Sequence, residues 1–159
     1  MANPLKEFME KLNAAINFDE ALIEEKGGKI FLLNNYLRST IDKVGLEYLH
    51  AGIYLGSIKQ NRFIPSFPLL FMLADKVRKK IYLTDKAAWL FICGRDIFAE
   101  GILHIEGSIN KGDLVMLFNK HGECLGYGMV KQDPKRARIG VVIKNIMDIG
   151  DFLRREKQL

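Results

Sequence analysis

The apolar residues near the start of the chain recur with the spacing of an amphipathic helix. In "NPLKEFMEKLNAAI", Asn3 is a favourable N-cap and Pro4 suits the first helical position. A helix is therefore predicted after Asn3, with its apolar stripe at Leu5, Phe8, Met9, Leu12 and Ile16.

Strand-type patterns and two further helices follow as far as residue 78. The segments "ALIEEKGGKIFLLN" and "HAGIYLGSIKQNRFIPSF" each predict two strands, joined by a Lys-Gly-Gly turn and by Gln60-Asn61. The segment "NNYLRSTIDKVG" predicts a helix capped by Asn34 or Asn35 and ended by Gly45, and "PLLFMLADKV" predicts a short one from Pro68. Two alternatives stay open: "ALI" can extend a helix, and "FIPSFPLLFMLA" suits either the core or a partner surface.

The pattern changes after "KVRKK", a charged segment that we interpret as a hinge. A strand, "KIYLT", precedes the segment "DKAAWLFICGRDIF", which predicts a helix with Thr84 as N-cap and with Trp89 in the core. Short strands punctuated by glycines come next, and a basic helix, "DIGDFLRREKQL", ends the chain. We therefore predict an α+β protein: an N-terminal α/β domain at 1–78, with an antiparallel sheet and flanking helices, and a small mixed β-barrel at 79–159.

Composition narrows the class of protein. The 159 residues suffice for one domain or two small ones, and two lobes of this size are expected to pack firmly together. The apolar runs are far shorter than the roughly 20 residues that span a bilayer, and the start has no signal-peptide pattern. We expect a soluble intracellular protein without a membrane partner.

Positive charge is concentrated towards the end of the chain. The net charge is +5, and the segment 131–159 holds eight basic residues against four acidic ones. Such an excess is typical of proteins that bind anionic partners, although a merely solvated surface gives the same pattern.

Motifs for common enzymatic chemistry are missing from the sequence. It has no P-loop, dinucleotide-binding glycine pattern, nucleophile elbow or zinc-ligand spacing, and its three histidines are scattered. We predict buried, reduced cysteines and no cofactor or metal. Asp96, in "GRDIFAEGI", remains the one tempting catalytic group.

The order of motifs in the second half resembles the PUA domain, a small RNA-binding barrel. The matching residues form a helix end, a strand entry, a tight turn and a glycine-rich strand: Gly94-Arg95-Asp96, Glu100-Gly101-Ile102, Asn110-Lys111-Gly112-Asp113-Leu114-Val115 and Gly126-Tyr127-Gly128. Arg95 and Glu100 depart from the usual small residue and proline. The "GRD" segment is thus interpreted as the RNA-facing end of a helix and not as a catalytic loop.

The resemblance extends over the whole chain to the Nip-seven family of ribosome-biogenesis factors, and the tail from Asp148 to Glu156 carries it most strongly. It implies a non-enzymatic, monomeric protein that binds uridine- or AU-rich precursor ribosomal RNA, with assembly factors or exosome subunits as partners. It also implies a cytoplasmic location for an archaeal member and a nuclear one for a eukaryotic member. The RNA-binding residues predicted are Gly94, Arg95, Gly101, Ile102, Lys131, Arg136, Arg138, Arg154, Arg155 and Lys157.

Two other functions remain open from the sequence. An RNA-modifying enzyme would use the N-terminal lobe for catalysis and the PUA domain for substrate delivery. A protein-interaction adaptor would carry the basic residues incidentally. Each single arginine also has the alternative of being a solvated charge, and the prediction requires the set to form one face.

Overall fold

The computed structural model of the protein describes residues 3–45 and 47–156, with side chains described as far as Arg154. Its helices are α1 (Pro4–Lys11), α2 (Asn35–Val44), α3 (Phe67–Leu73), α4 (Asp85–Ile92) and α5 (Ile149–Glu156). Its strands are β1 (Ile23–Lys26), β2 (Lys29–Leu32), β3 (Ile53–Lys59), β4 (Arg62–Pro65), β5 (Lys80–Leu83), β6 (Ile97–Phe98), β7 (Ile102–Glu106), β8 (Leu114–Phe118), β9 (Cys124–Val130) and β10 (Val141–Asp148).

The N-terminal lobe is a four-stranded antiparallel sheet in the order β1-β2-β3-β4, with three helices around it. Local sequence signals set its boundaries. The side chain of Asn3 accepts a hydrogen bond from the amide of Leu5, and that of Asn34 accepts one from the amide of Leu37. Gln60 and Asn61 adopt left-handed conformations in the β3–β4 turn, a geometry that asparagine tolerates better than most residues. The predicted antiparallel sheet is confirmed.

The C-terminal lobe is a mixed six-stranded sheet that curls into a half-barrel, in the order β6-β10-β9-β8-β5-β7. Strands β5 and β8 are parallel, and the other pairs are antiparallel. The two glycines of "GYG" allow β9 and β10 to approach, because a Cβ atom at Gly126 would lie 1.9 Å from the carbonyl oxygen of Met147. The predicted fold class, α+β with a PUA-type mixed barrel, is confirmed.

The two lobes share one hydrophobic core. Phe8 of α1 lies edge-on to the ring of Tyr127 in β9, with 5.4 Å between the ring centroids. Met116 and Phe118 of β8 are buried in the same cluster as Leu70 of α3. A second cluster fills the space between α4 and the six-stranded sheet. The predicted firm packing of the lobes is confirmed, while the exact division at residues 78 and 79 stays a prediction.

The segment after β5 differs from expectation. Helix α4 ends at Ile92, so that "GRD" is a separate turn in which Gly94 has a φ of +87°. Trp89, predicted in the core, is 65% exposed, and Phe98 is 45% exposed. Both cysteines are free thiols, but Cys93 is exposed and only Cys124 is buried. Within the segment interpreted as a hinge, Val77 is buried and pairs with Ala14, and the hinge itself stays a prediction.

Candidate nucleic-acid interface

A shallow apolar groove runs between α4 and the segment that contains β6. Leu90 and Phe98 supply exposed apolar surface, and Lys86 supplies a cation at the rim. The groove encloses about 160 Å³. Gly101 closes its floor, because a Cβ atom there would lie 2.7 Å from the Cβ of Ala87. The groove can therefore receive a flat apolar group beside an anionic one.

The loop between β9 and β10 carries basic side chains and ends next to β6, a strand that lines this groove. Val141, where the loop ends, pairs with Phe98 of β6. Lys131, Arg136 and Arg138 are all exposed, and the side chain of Arg136 is 89% accessible. Its one ionic contact is to Asp133, at 3.6 Å. The guanidinium groups of this loop are thus available to phosphates.

Arg154 lies at the other end of β10 and is engaged within the protein. Its guanidinium donates a 2.5 Å hydrogen bond to the carbonyl of Ile92, the last residue of α4. It also lies 3.3 Å from the carboxylate of Asp148, which is 3% exposed. The amide of Asp151 and the side-chain amide of Asn145 donate to the same carboxylate. Arg154 therefore ties α5 to α4, and half of its side chain stays accessible.

The "GRD" turn is built into this end of the sheet. The carboxylate of Asp96 accepts a 2.8 Å hydrogen bond from the amide of Asn145, and the side chain of Asn145 donates to the carbonyl of Arg95. Asp96 thus supports β10, while the side chain of Arg95 is exposed. The carbonyl of Gly101 accepts a bond from the amide of Thr84, which fixes the Gly101-Ile102 segment beside the start of α4.

The tight turn before β8 is held by Asp113. Its carboxylate accepts hydrogen bonds from the ammonium of Lys79 at 2.7 Å and from the amide of Asn110 at 2.8 Å. Burial raises the pKa of Asp113, but the hydrogen bonds of Lys79 and Asn110 and the charge of Lys79 outweigh it, and the pKa lies below its ordinary value. The predicted turn with an aspartate bonded to a backbone amide is confirmed.

The basic residues form two groups and not a single cluster. Val141 and Asp148 are seven residues apart on β10, which separates the two ends by about 23 Å at the usual rise of a strand. Lys131, Arg136 and Arg138 lie towards the Val141 end, and Gly94, Arg95 and Arg154 lie at the Asp148 end. The side chain of Arg155 and the whole of Lys157 lie outside the described residues, so their predicted role remains a prediction.

Sequence reasoning missed the aromatic part of this surface. Trp89, Leu90 and Phe98 are all exposed, although each belongs to an apolar run. The usable signal was the composition of α4: "AAWLFI" is apolar on every side, and a surface helix can bury only one face. Ala87, Ala88 and Phe91 occupy that buried face.

Comparison with protein-family models finds a match for each half of the chain. Residues 79–157 match the model of the UPF0113 PUA domain. The C-terminal half of the chain is thus similar to the UPF0113 PUA domain. Residues 7–73 match a second model, the first C-terminal domain of the RsmF rRNA methyltransferase. The exposed Trp89, Phe98 and Arg95 all lie in the half of the chain that matches the PUA domain.

Relatives extend the similarity beyond the PUA domain. A UPF0113 protein of Archaeoglobus fulgidus is 26% identical over 143 residues, which cover 86% of this chain and 80% of that protein. A conserved PUA domain protein of Thermoplasma acidophilum superposes with a TM-score of 0.62 at 20% identity, over 95% of this chain and 92% of that one. A PUA domain from Aeropyrum pernix gives a TM-score of 0.52 at 21% identity, over 62% of this chain and 58% of that one. These structures share the fold.

Within residues 3–45 and 47–156, His, Cys, Asp and Glu side chains form no group of three or more that could hold a metal ion. No helix in that part of the chain is long and apolar enough to cross a bilayer.

Proposed function

We propose that the protein is a non-catalytic RNA-binding factor of ribosome biogenesis, which binds precursor ribosomal RNA through its PUA domain. The observation that carries the proposal is the groove beside α4, where Lys86, Leu90 and Phe98 line one exposed surface in the half of the chain that matches the PUA domain. Exposed aromatic rings stack on unpaired bases, and arginines bind phosphates by two parallel hydrogen bonds. Single-stranded RNA presents both groups at regular intervals, one base and one phosphate per nucleotide.

Each part of the surface has a defined task in this proposal. Trp89 and Phe98 stack on bases, and Lys86 with the β9–β10 loop binds the flanking phosphates. Arg95 binds a phosphate of the RNA at the Asp148 end of β10. Uridine- or AU-rich segments suit such a site, because they stay single-stranded and leave their bases free to stack.

The wider role follows from the resemblance to the Nip-seven family. The protein acts as a monomer during large-subunit assembly and ribosomal RNA processing, with assembly factors or exosome subunits as partners. Its location is the cytoplasm of an archaeon or the nucleus of a eukaryote. The match of residues 7–73 to a domain of an rRNA methyltransferase supports a ribosomal RNA context for the N-terminal lobe as well.

The test is a titration with a fluorescent uridine-rich RNA, followed by anisotropy. Arg136→Ala/Arg138→Ala removes two exposed cations beside the groove, and we expect affinity to fall by roughly tenfold or more, at the usual strength of hydrogen bonds to charged groups. Lys6→Ala/Lys43→Ala removes the same charge from exposed positions on α1 and α2 and should bind nearly as the wild type does. Equal losses for both double variants would reduce the interaction to net charge and contradict the proposed site.

Trp89 provides an independent signal, because it is the one tryptophan of the sequence. Stacking on a base should quench its fluorescence during the titration, and added salt should weaken binding with a slope of about −0.7 per phosphate contacted. Binding without any change in Trp89 emission would exclude stacking on this residue.

A further inference from the structure

A second cavity lies between the two lobes, on the face of β10 that turns away from α4. The β3–β4 turn of the N-terminal sheet overhangs β10 and α5 and encloses about 670 Å³. An adjoining cavity of about 240 Å³ shares part of the same lining. Its lining includes Lys59, Arg62, Phe63, Tyr127, Ile146 and Met147.

Tyr127 is a polar group without a partner in the wall of this cleft. The residue is 7% exposed and lines both cavities. Its ring packs against Phe8, but its hydroxyl forms no hydrogen bond within residues 3–45 and 47–156. Although the residue as a whole is largely buried, its hydroxyl oxygen is not sealed from solvent, so it can donate to an acceptor atom of a ligand in the cleft. Burial also raises the pKa of Tyr127 to about 12, so the hydroxyl keeps its proton and remains a donor.

The rim of the cleft adds cations. Lys59 and Arg62 are exposed, and neither forms an ion pair within the described part of the chain. The carboxylate of Asp151, at the far end of the cleft, lies 4.0 Å from Arg154. Phe63 and Ile146 give the interior an apolar wall, and Ile146 is 43% exposed. The lining therefore combines two exposed cations, an apolar wall and a tyrosine hydroxyl that faces the cleft.

We propose that this interlobe cleft binds one nucleotide unit of single-stranded RNA. The phosphate binds Arg62 and Lys59, the base packs against Phe63 and Ile146, and the Tyr127 hydroxyl donates to a carbonyl of the base or to a ribose oxygen. Met147 and Asp151 flank Asp148, the residue that pairs with Arg154 at the end of β10. A strand that leaves the PUA surface at Arg95 thus has a short path into the cleft. This inference deepens the proposed RNA-binding function and rests on it.

The test uses two nuclear magnetic resonance reporters in the full-length protein. The methyl group of Ile146 reports on the cleft, and the indole N–H of Trp89 reports on the exposed face of α4 next to the groove-lining Leu90. Uridine monophosphate and a uridine decamer are titrated separately, which distinguishes a free nucleotide from a unit within a strand. We expect the Ile146 signal to move with the decamer, and movement with the monophosphate as well would show that the site accepts either source.

Two variants connect that signal to the residues proposed. Arg62→Ala should weaken the Ile146 response roughly tenfold, and Tyr127→Phe, which keeps the ring and loses the hydroxyl, should weaken it about three- to tenfold. Lys6→Ala serves as the control on α1 and should leave both signals unchanged.

The outcomes separate the two proposals. A shift of Trp89 with an unchanged Ile146, or an Ile146 response that Arg62→Ala and Tyr127→Phe both leave intact, would overturn the cleft while the PUA surface stands. A shift of Ile146 with an unchanged Trp89 would support the cleft and remove RNA binding from the α4 groove.

Discussion

The two ends of β10 carry arginines that look alike in sequence and differ in structure. At the Val141 end, Arg136 and Arg138 lie in an open loop with their side chains in solvent. At the Asp148 end, Arg154 contacts a buried carboxylate and the last carbonyl of α4. The first pair can bind a ligand while giving up only exposed contacts such as that of Arg136 with Asp133, whereas the second position already stabilises the fold.

The two ends of β10 also differ in how closely the chain is packed. A Cβ atom at Gly150 would lie 1.8 Å from the carbonyl oxygen of Ile92, so α5 rests directly on the end of α4. At Gly140, in the loop, the nearest atom to a Cβ is the side-chain nitrogen of Gln132, at 3.2 Å. Backbone cannot move aside as a flexible side chain can, and the Asp148 end is therefore the rigid one.

The largest expected effect is that of Gly150→Ala. The added methyl group must push α5 away from α4, and overpacking of this kind lowers the free energy of unfolding by about 3 kcal/mol. Gly140→Ala is the matched control, where left-handed backbone (φ +86°) alone lowers it by about 1–2 kcal/mol. Chemical denaturation measures both. A smaller loss at Gly150 than at Gly140 would contradict the difference in packing.

Single arginine variants should separate stability from RNA affinity. Arg154→Ala removes the partner of the buried Asp148 carboxylate and a bond to the Ile92 carbonyl, and should lower the free energy of unfolding by about 1–2 kcal/mol, an amount reduced by its half-exposed side chain. Arg136→Ala should change it by less than about 0.5 kcal/mol.

For the affinity to uridine-rich RNA, the order of the two effects should reverse. Arg136→Ala should weaken binding more than Arg154→Ala does, at a temperature where both variants are folded. Denaturation curves and anisotropy titrations on the same preparations supply the comparison. An Arg154→Ala protein of wild-type stability with a larger loss of affinity would assign that arginine to the RNA site instead.

The sequence predicted the helices and strands of this protein better than it predicted the contacts and the exposure of their side chains. Caps, turns and glycines are local signals, and Asn3, Asn34 and Thr84 begin their helices as the pattern indicated. The hydrogen bonds of Arg154 are to residues 6 and 62 positions away, and no local pattern encodes them. Exposure is equally non-local, because Trp89 is solvent-facing only since α4 buries its opposite side on the sheet.

The candidate site shows the same limit. The order of motifs identified the PUA-like half and the glycines that shape it. Whether the predicted arginines share one face depends on the length and position of β10, which the sequence does not give. The interlobe cleft depends on the position of the β3–β4 turn over the second sheet, which follows from the shared core and not from either sequence segment alone.

A structural ion pair also exists on the barrel away from α5, and it provides the smallest prediction. Asp113, whose side chain is 25% exposed, binds Lys79, and its pKa in the folded protein lies below the ordinary value of 3.8. A lowered carboxyl pKa stabilises the fold above pH 3.8 or so, and the stabilisation disappears as the pH falls through the folded-state pKa. Asp113→Asn should therefore lower the free energy of unfolding by about 0.5–1 kcal/mol at pH 7 and by less at pH 2 to 3.

The measurement is chemical denaturation of both proteins across that range, with Asp42→Asn on α2 as the exposed control. A difference between wild type and Asp113→Asn that stayed constant from pH 7 to pH 2 would mean that the carboxylate charge contributes nothing. The turn would then depend on the hydrogen bond to the Asn110 amide, which asparagine can still accept. Asp113 precedes β8, and its carbonyl accepts a hydrogen bond from the amide of Val130, the last residue of β9 before the basic loop. A pH-dependent result would therefore show that an ion pair stabilises the fold one strand away from the groups proposed to bind RNA.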